Sequence, residues 1–129
     1  MNLRKSALAL AGSFTILLST LGSAATAAPP DATVKEVNFL LERVGSSGCD
    51  FYRNGVWFKG NLGQVHLRDK YQYLVNKNMI NTTSDFIDKA ATESSMTGLA
   101  YRVRCKGQED VLSKQWLNDE LARYRATAH

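Results

Sequence analysis

The chain has 129 residues; 44% are hydrophobic and 22% charged, with 16 Lys or Arg against 12 Asp or Glu. That size accommodates one domain of ordinary dimensions, and the apolar share excludes wholesale disorder. Two Pro and nine Gly exclude a collagenous or low-complexity chain.

Residues 1–27 read as a secretory signal. Arg4 and Lys5 form the positive start, Ala7–Leu21 is an uncharged apolar run, and Ala25-Thr26-Ala27 is an A-x-A cleavage site. The run has 15 residues, whereas about 20 are needed to cross a bilayer. Cleavage near Ala27 is therefore expected, with no transmembrane segment afterwards; a retained N-terminal anchor is the competing reading. The remaining single domain, 28–129, keeps 14 basic and 12 acidic residues, a net charge of +2. The basic balance of the whole chain is thus no nucleic-acid signal. Cys49 and Cys105 both lie in the exported part, where thiols oxidise, and one intramolecular disulfide is expected. Two free thiols, or a bridge between chains, are the alternatives. One internal His and two distant Cys do not make a zinc set, so no metal is expected.

Residues 28–32 form a short lead. Thr33-x-x-Glu36 reads as a capping box, followed by Val37, Leu40, Leu41 and Val44 on one helical face and by Gly45 as a stop. Cys49–Phe58 is a β-rich aromatic run split by Asn54-Gly55, a type I′ turn signal. With that turn, Arg53 faces Val56, Tyr52 faces Trp57 and Phe51 faces Phe58. Asn61 is placed to cap a second helix, with Leu67, Tyr71, Leu74 and Val75 inside and His66, Lys70, Tyr73 and Lys77 on a wetter stripe. Residues 76–82 read as a loop. Thr82-Thr83-Ser84-Asp85 offers caps for a third helix that buries Phe86, Ile87, Ala90 and Ala91 and breaks at Ser94–Gly98. Tyr101–Lys106 alternates as a half-buried strand, and a last helix covers about 110–125 with Leu117, Leu121 and Tyr124 on one side. The order α-β-β-α-α-β-α predicts a small α+β domain, a three-stranded antiparallel sheet with about four helices.

Four stretches, Phe51-Tyr52-Arg53-Asn54-Gly55, His66-Leu67-Arg68-Asp69-Lys70-Tyr71, Asp85-Phe86-Ile87-Asp88-Lys89-Ala90-Ala91 and Ser94-Ser95-Met96-Thr97-Gly98, occur in that order. Together they resemble the YfeK-like family of small periplasmic proteins of unknown function, over about residues 36–124. The resemblance implies a periplasmic location and no particular activity. The cysteine pair is not among the matching elements.

Chemistry is sparse. His66 with Ser94 or Ser95, oriented by Asp69 or Asp85, would suit an envelope hydrolase, but no nucleophile elbow or S-x-x-K pattern accompanies them. Acids near helix starts fit the helix dipole better than glycoside hydrolysis. No phosphate-cradling loop occurs, and no cofactor is expected. Arg102, Arg104 and Lys106 share one strand face, suited to an acidic partner or to guarding a sheet edge. The leading expectation is a non-enzymatic periplasmic protein that docks on an envelope or effector protein. Its most concrete form is an inhibitor of a cell-wall hydrolase, by analogy with immunity proteins of that compartment. Arg53, Asn54, Trp57, His66, Lys70, Tyr73, Ser94, Ser95 and Thr97 are the expected contacts. A small-ligand or lipid-binding module is the remaining alternative, and it requires an apolar pocket.

Overall fold

The computed structural model describes residues 9–13, 15–17, 19, 22 and 27–128. Arg4, Lys5 and the Ala25-Thr26 part of the expected signal lie outside the described residues. Among the described residues no helix is long and apolar enough to cross a membrane.

Helix α1 spans Asp31–Ser46 and starts directly after Pro30. The expected capping box at Thr33 is not formed, because Thr33 already lies inside the helix. Its buried hydroxyl donates instead to the Asn81 carbonyl at 3.0 Å. Glu36 accepts from Arg125 Nε at 2.6 Å and from the Thr83 hydroxyl at 2.6 Å. Gly45 does not stop the helix; the left-handed residue after it is Gly48, at φ +72°. Val37, Leu40, Leu41 and Val44 are fully buried, as their spacing predicts.

Strands β1 (Asp50–Arg53) and β2 (Val56–Lys59) pair in the expected register, Phe51 opposite Phe58, Tyr52 opposite Trp57 and Arg53 opposite Val56. Asn54 and Gly55 both take positive φ, 49° and 86°, as a type I′ turn requires. Helix α2 (Gly60–Asn76) begins straight after β2, one residue ahead of the expected Asn61 cap. Gly60 is needed there, since a Cβ would run into the Val44 carbonyl oxygen of α1. The turn that follows carries a buried residue the loop reading did not anticipate, Ile80.

Helix α3 (Thr83–Ala90) is opened by a reciprocal capping box: Asp85 N donates to Thr82 Oγ1 at 3.1 Å, and Thr82 N donates to Asp85 Oδ2 at 3.0 Å. Phe86, Ile87, Ala90 and Ala91 are fully buried.

Strand β3 (Arg102–Arg104) lies beside β1, and a two-residue strand, β4 (Val111–Leu112), lies beside β3. The sheet therefore has four antiparallel strands in the order β2-β1-β3-β4, not three. The last helix, α4 (Ser113–Thr127), starts after that strand rather than near residue 110. The element order becomes α-β-β-α-α-β-β-α. Arg102 and Arg104 sit on an inner strand and do not guard an edge. Arg102 Nε pairs with Asp110 at 2.6 Å and Arg104 with Asp50 at 3.4 Å. The fold is α+β, with α2 and α4 against the sheet and α1 and α3 behind them. Cys49 and Cys105 continue the β1–β3 pairing by one step, and their disulfide closes it with Cα atoms 4.3 Å apart.

Candidate functional site

Alternation along β1 and β2 separates two faces. Phe51, Arg53, Val56 and Phe58 share the helix side; Tyr52 and Trp57 share the outer side with Arg102 and Arg104. On the helix side, β1, β2 and α2 enclose an open pocket of about 150 Å³. Its walls are apolar (Phe51, Phe58, Leu62, Leu67), Gly63 also lines it, and Arg53, His66, Tyr101 and Ser113 supply polar atoms. Trp116 of α4 backs the Phe51 ring edge-on, centroids 5.6 Å apart.

Tyr101 is the hub of the polar end. Its ring is buried, and a buried phenol needs partners for its hydroxyl. His66 Nε2 lies 3.1 Å from Tyr101 Oη, and Lys70 Nζ donates to the same oxygen at 3.5 Å. An ammonium only donates, so the phenol oxygen accepts from Lys70 and its own proton is available to His66. Lys70 also donates to the Glu93 carbonyl at 2.9 Å and lies over the Tyr101 ring, 5.2 Å from its centroid. Arg53 Nε is buried and makes no hydrogen bond, and neither Arg53 nor Lys70 has a carboxylate within 4.0 Å among the described residues.

This crowding leaves an electrostatic signature. Burial, then the Arg53 and Lys70 charges, hold the His66 imidazole below its ordinary range. Burial, then Arg53, lowers the Lys70 ammonium too. Burial raises the Tyr101 phenol, and Arg53 opposes it through its charge and a side-chain hydrogen bond. Two cations and an imidazole thus converge on one phenol, with Glu93 acting on Lys70 and Asp69 on His66 only from beyond ion-pair distance.

Of the expected contact residues, the structure brings Arg53, His66 and Lys70 together. Asn54 and Thr97 meet at the hairpin tip, where Thr97 Oγ1 donates to Asn54 Oδ1 at 2.6 Å. Ser94 is buried and works as a turn: its Oγ accepts from the amides of Met96 and Thr97, both at 3.3 Å. The side-chain partner of His66 is Tyr101, not Ser94 or Ser95, and Ser95 is exposed. Tyr73 stands apart, 61% exposed beneath the Lys77 ammonium. Trp57 is on the opposite face of the sheet, 5.3 Å from Tyr52 and covered by the Arg104 guanidinium at 4.1 Å. Tyr101 was missed by the sequence reading. Its signal was there: a phenol on the inward side of an alternating strand must find a polar partner.

The pocket is smaller than the roughly 300–1,000 Å³ of drug-sized or cofactor sites. Among the described residues no three His, Cys, Asp or Glu side chains gather in a metal-binding group. No curated protein and no solved structure matches the chain. A family model does match, over residues 31–125, from the start of α1 to the last turn of α4. Its description is a family of unknown function (DUF5329), and to that uncharacterised family the chain belongs.

Proposed function

We propose that this protein is a non-enzymatic, exported binding protein that engages a protein partner through the β1–β2 hairpin and the pocket beneath it. The observation that carries this is an open apolar cavity with Arg53 among its lining residues and no carboxylate within 4.0 Å of that guanidinium among the described residues. A charged group beside apolar walls is costly without a counter-charge, and a ligand acceptor offsets that cost. The hairpin is held on two sides, by the Cys49–Cys105 bridge and by the Thr97–Asn54 hydrogen bond. An element fixed in advance loses little conformational freedom on docking.

A disulfide suits a compartment where thiols oxidise. The YfeK-like resemblance narrows that compartment to the periplasm, with the first 27 residues as the removed signal. An inhibitor of a cell-wall hydrolase is the most concrete form of the reading, because an inhibitor needs a rigid projection and no reacting groups.

The test is affinity capture on immobilised mature chain from an envelope extract, comparing wild type, Arg53→Ala and Trp57→Ala. A partner retained by wild type and Trp57→Ala but lost by Arg53→Ala is expected. Identical profiles for all three counts against the pocket as the contact.

A further inference from the structure

We infer that the pocket recognises a carboxylate carried on a single large apolar group, as at the C-terminal residue of a peptide. This rests on the binding reading above and specifies its ligand. Size sets the apolar part. An engineered protein cavity of about 150 Å³ accepts benzene, so the covered part of this open pocket matches one phenyl-sized or branched aliphatic group.

Charge sets the head. Arg53 and Lys70 have no carboxylate partner within 4.0 Å among the described residues; Arg53 and Tyr101 line the cavity, and Lys70 reaches the Tyr101 hydroxyl at 3.5 Å without lining the cavity itself. Arg53 Nε is itself covered, so a carboxylate entering the cavity would meet the terminal nitrogens of the guanidinium, which also present two donors in one plane. One negative charge there relieves the mutual repulsion of the two cations, and the apolar walls beside them exclude water from the pair. The ligand is therefore short: an anion at the Arg53 end and a hydrophobic group against Phe51, Phe58, Leu62 and Leu67.

The experiment is an amide chemical-shift titration of isotope-labelled mature chain, residues 28–129, with four probes. N-acetyl-L-phenylalanine has both parts, and octanoate has both on a lipid-like chain. N-acetyl-L-phenylalaninamide lacks the charge, and acetate lacks the apolar group. The expected result is that an acid shifts the Gly63, Leu67 and Tyr101 amides and binds at least about tenfold tighter than the amide, the scale of a charged hydrogen bond. The tighter of the two acids tells a peptide terminus from a fatty acid; octanoate winning overturns the peptide source and keeps the carboxylate chemistry. Arg53→Gln is expected to abolish the preference for acid over amide. Lys70→Met is expected to reduce it, and serves if the first variant does not fold. Equal binding of acid and amide overturns the carboxylate head while the pocket reading stands. No shift at those amides with any probe, or shifts with acetate alone, overturns both.

Discussion

Thr97 and Asn54 are 43 residues apart in sequence, yet the threonine hydroxyl donates to the asparagine side-chain oxygen at 2.6 Å. That bond fastens the tip of the hairpin to the turn that follows α3. The same hydroxyl accepts from the Leu99 amide at 3.2 Å, so one oxygen fixes both the turn and its guest. Thr97→Val is expected to lower stability by about 1 kcal/mol, the ordinary net worth of such bonds. It is also expected to speed hydrogen exchange at the Asn54 and Gly55 amides more than at α1. Unchanged exchange at the tip would show that the turn holds itself.

The disulfide closes a loop that runs from the residue before β1 to the residue after β3. Its two ends are 56 positions apart. The chain-entropy treatment gives about 4 kcal/mol for a loop of that length. The Cys49→Ala, Cys105→Ala double variant is expected to lose most of this in urea unfolding of residues 28–129. A loss below about 1 kcal/mol would mean that the cross-link constrains the unfolded chain little and that β1–β3 pairing needs no staple.

Two glycines of α2 carry opposite expectations. At Gly60 an added Cβ meets backbone, the Val44 carbonyl oxygen of α1, which cannot step aside without moving the helix. Gly60→Ala is expected to cost about 1–3 kcal/mol, as overpacking does. At Gly63 the nearest atom is Phe51 Cβ at 3.4 Å, an ordinary contact. Gly63→Ala is expected to be neutral or to gain up to about 1 kcal/mol from helix propensity. Thermal unfolding of the two variants side by side separates a close helix crossing from a merely small residue.

His66 gives the protein an acid-side dependence. Burial comes first among the causes that depress its imidazole, then Arg53 and Lys70, with Asp69 opposing. In the unfolded chain the ring takes up a proton at about pH 6.5; in the fold it resists until the pH is lower. The unfolded state then binds more protons. Stability therefore falls as pH drops below about 6.5, and the loss stops once the folded ring is protonated. An NMR titration of the ring protons is expected to show a midpoint below 6.5, and His66→Gln to flatten the urea midpoint between pH 7 and pH 5. A midpoint at or above 6.5 would contradict the cationic surroundings described for Tyr101.

The capping box of α3 is tested at Thr82. Replacement by Ala is expected to cost about 1 kcal/mol. The carboxyl of Asp85 is held far below its usual range, first by the amides of Asn81 and Thr82, then by Lys89. Stability from that group is present above about pH 4 and is lost in acid. Circular dichroism on lowering the pH is expected to show Thr82→Ala unfolding at a higher pH than wild type.

Much of this architecture was readable where a local period or a turn dictates it. The i, i+3, i+4, i+7 spacing of Val37, Leu40, Leu41 and Val44 gave the buried face of α1, and Asn54-Gly55 gave the hairpin register to the residue. What escaped was set by partners distant in sequence. Val111–Leu112 is a strand only because β3 is beside it; two residues carry no period, and the neighbouring helix pattern absorbed them. Thr33 has the spacing of a cap, but Pro30 starts the helix earlier and Asn81 claims the hydroxyl. His66 and Lys70 were legible as neighbours on one stripe of α2. Their meeting with Arg53 over Tyr101 depends on β1 and the residue just before β3 coming up to that helix, which spacing does not encode.

Arg125, in the last helical turn, grips Glu36, in the second turn of α1, through two hydrogen bonds of 2.6 and 2.9 Å. Asp31 is five residues back along its helix and Thr127 two residues on, so at about 1.5 Å per residue both ends emerge within a few turns of one another. A tag, bead or fusion joined just ahead of Asp31 or just after Thr127 therefore grips the molecule by the same handle. A flexible peptide joining the start of α1 to the end of α4 would close residues 31–127 into a ring without bending the body.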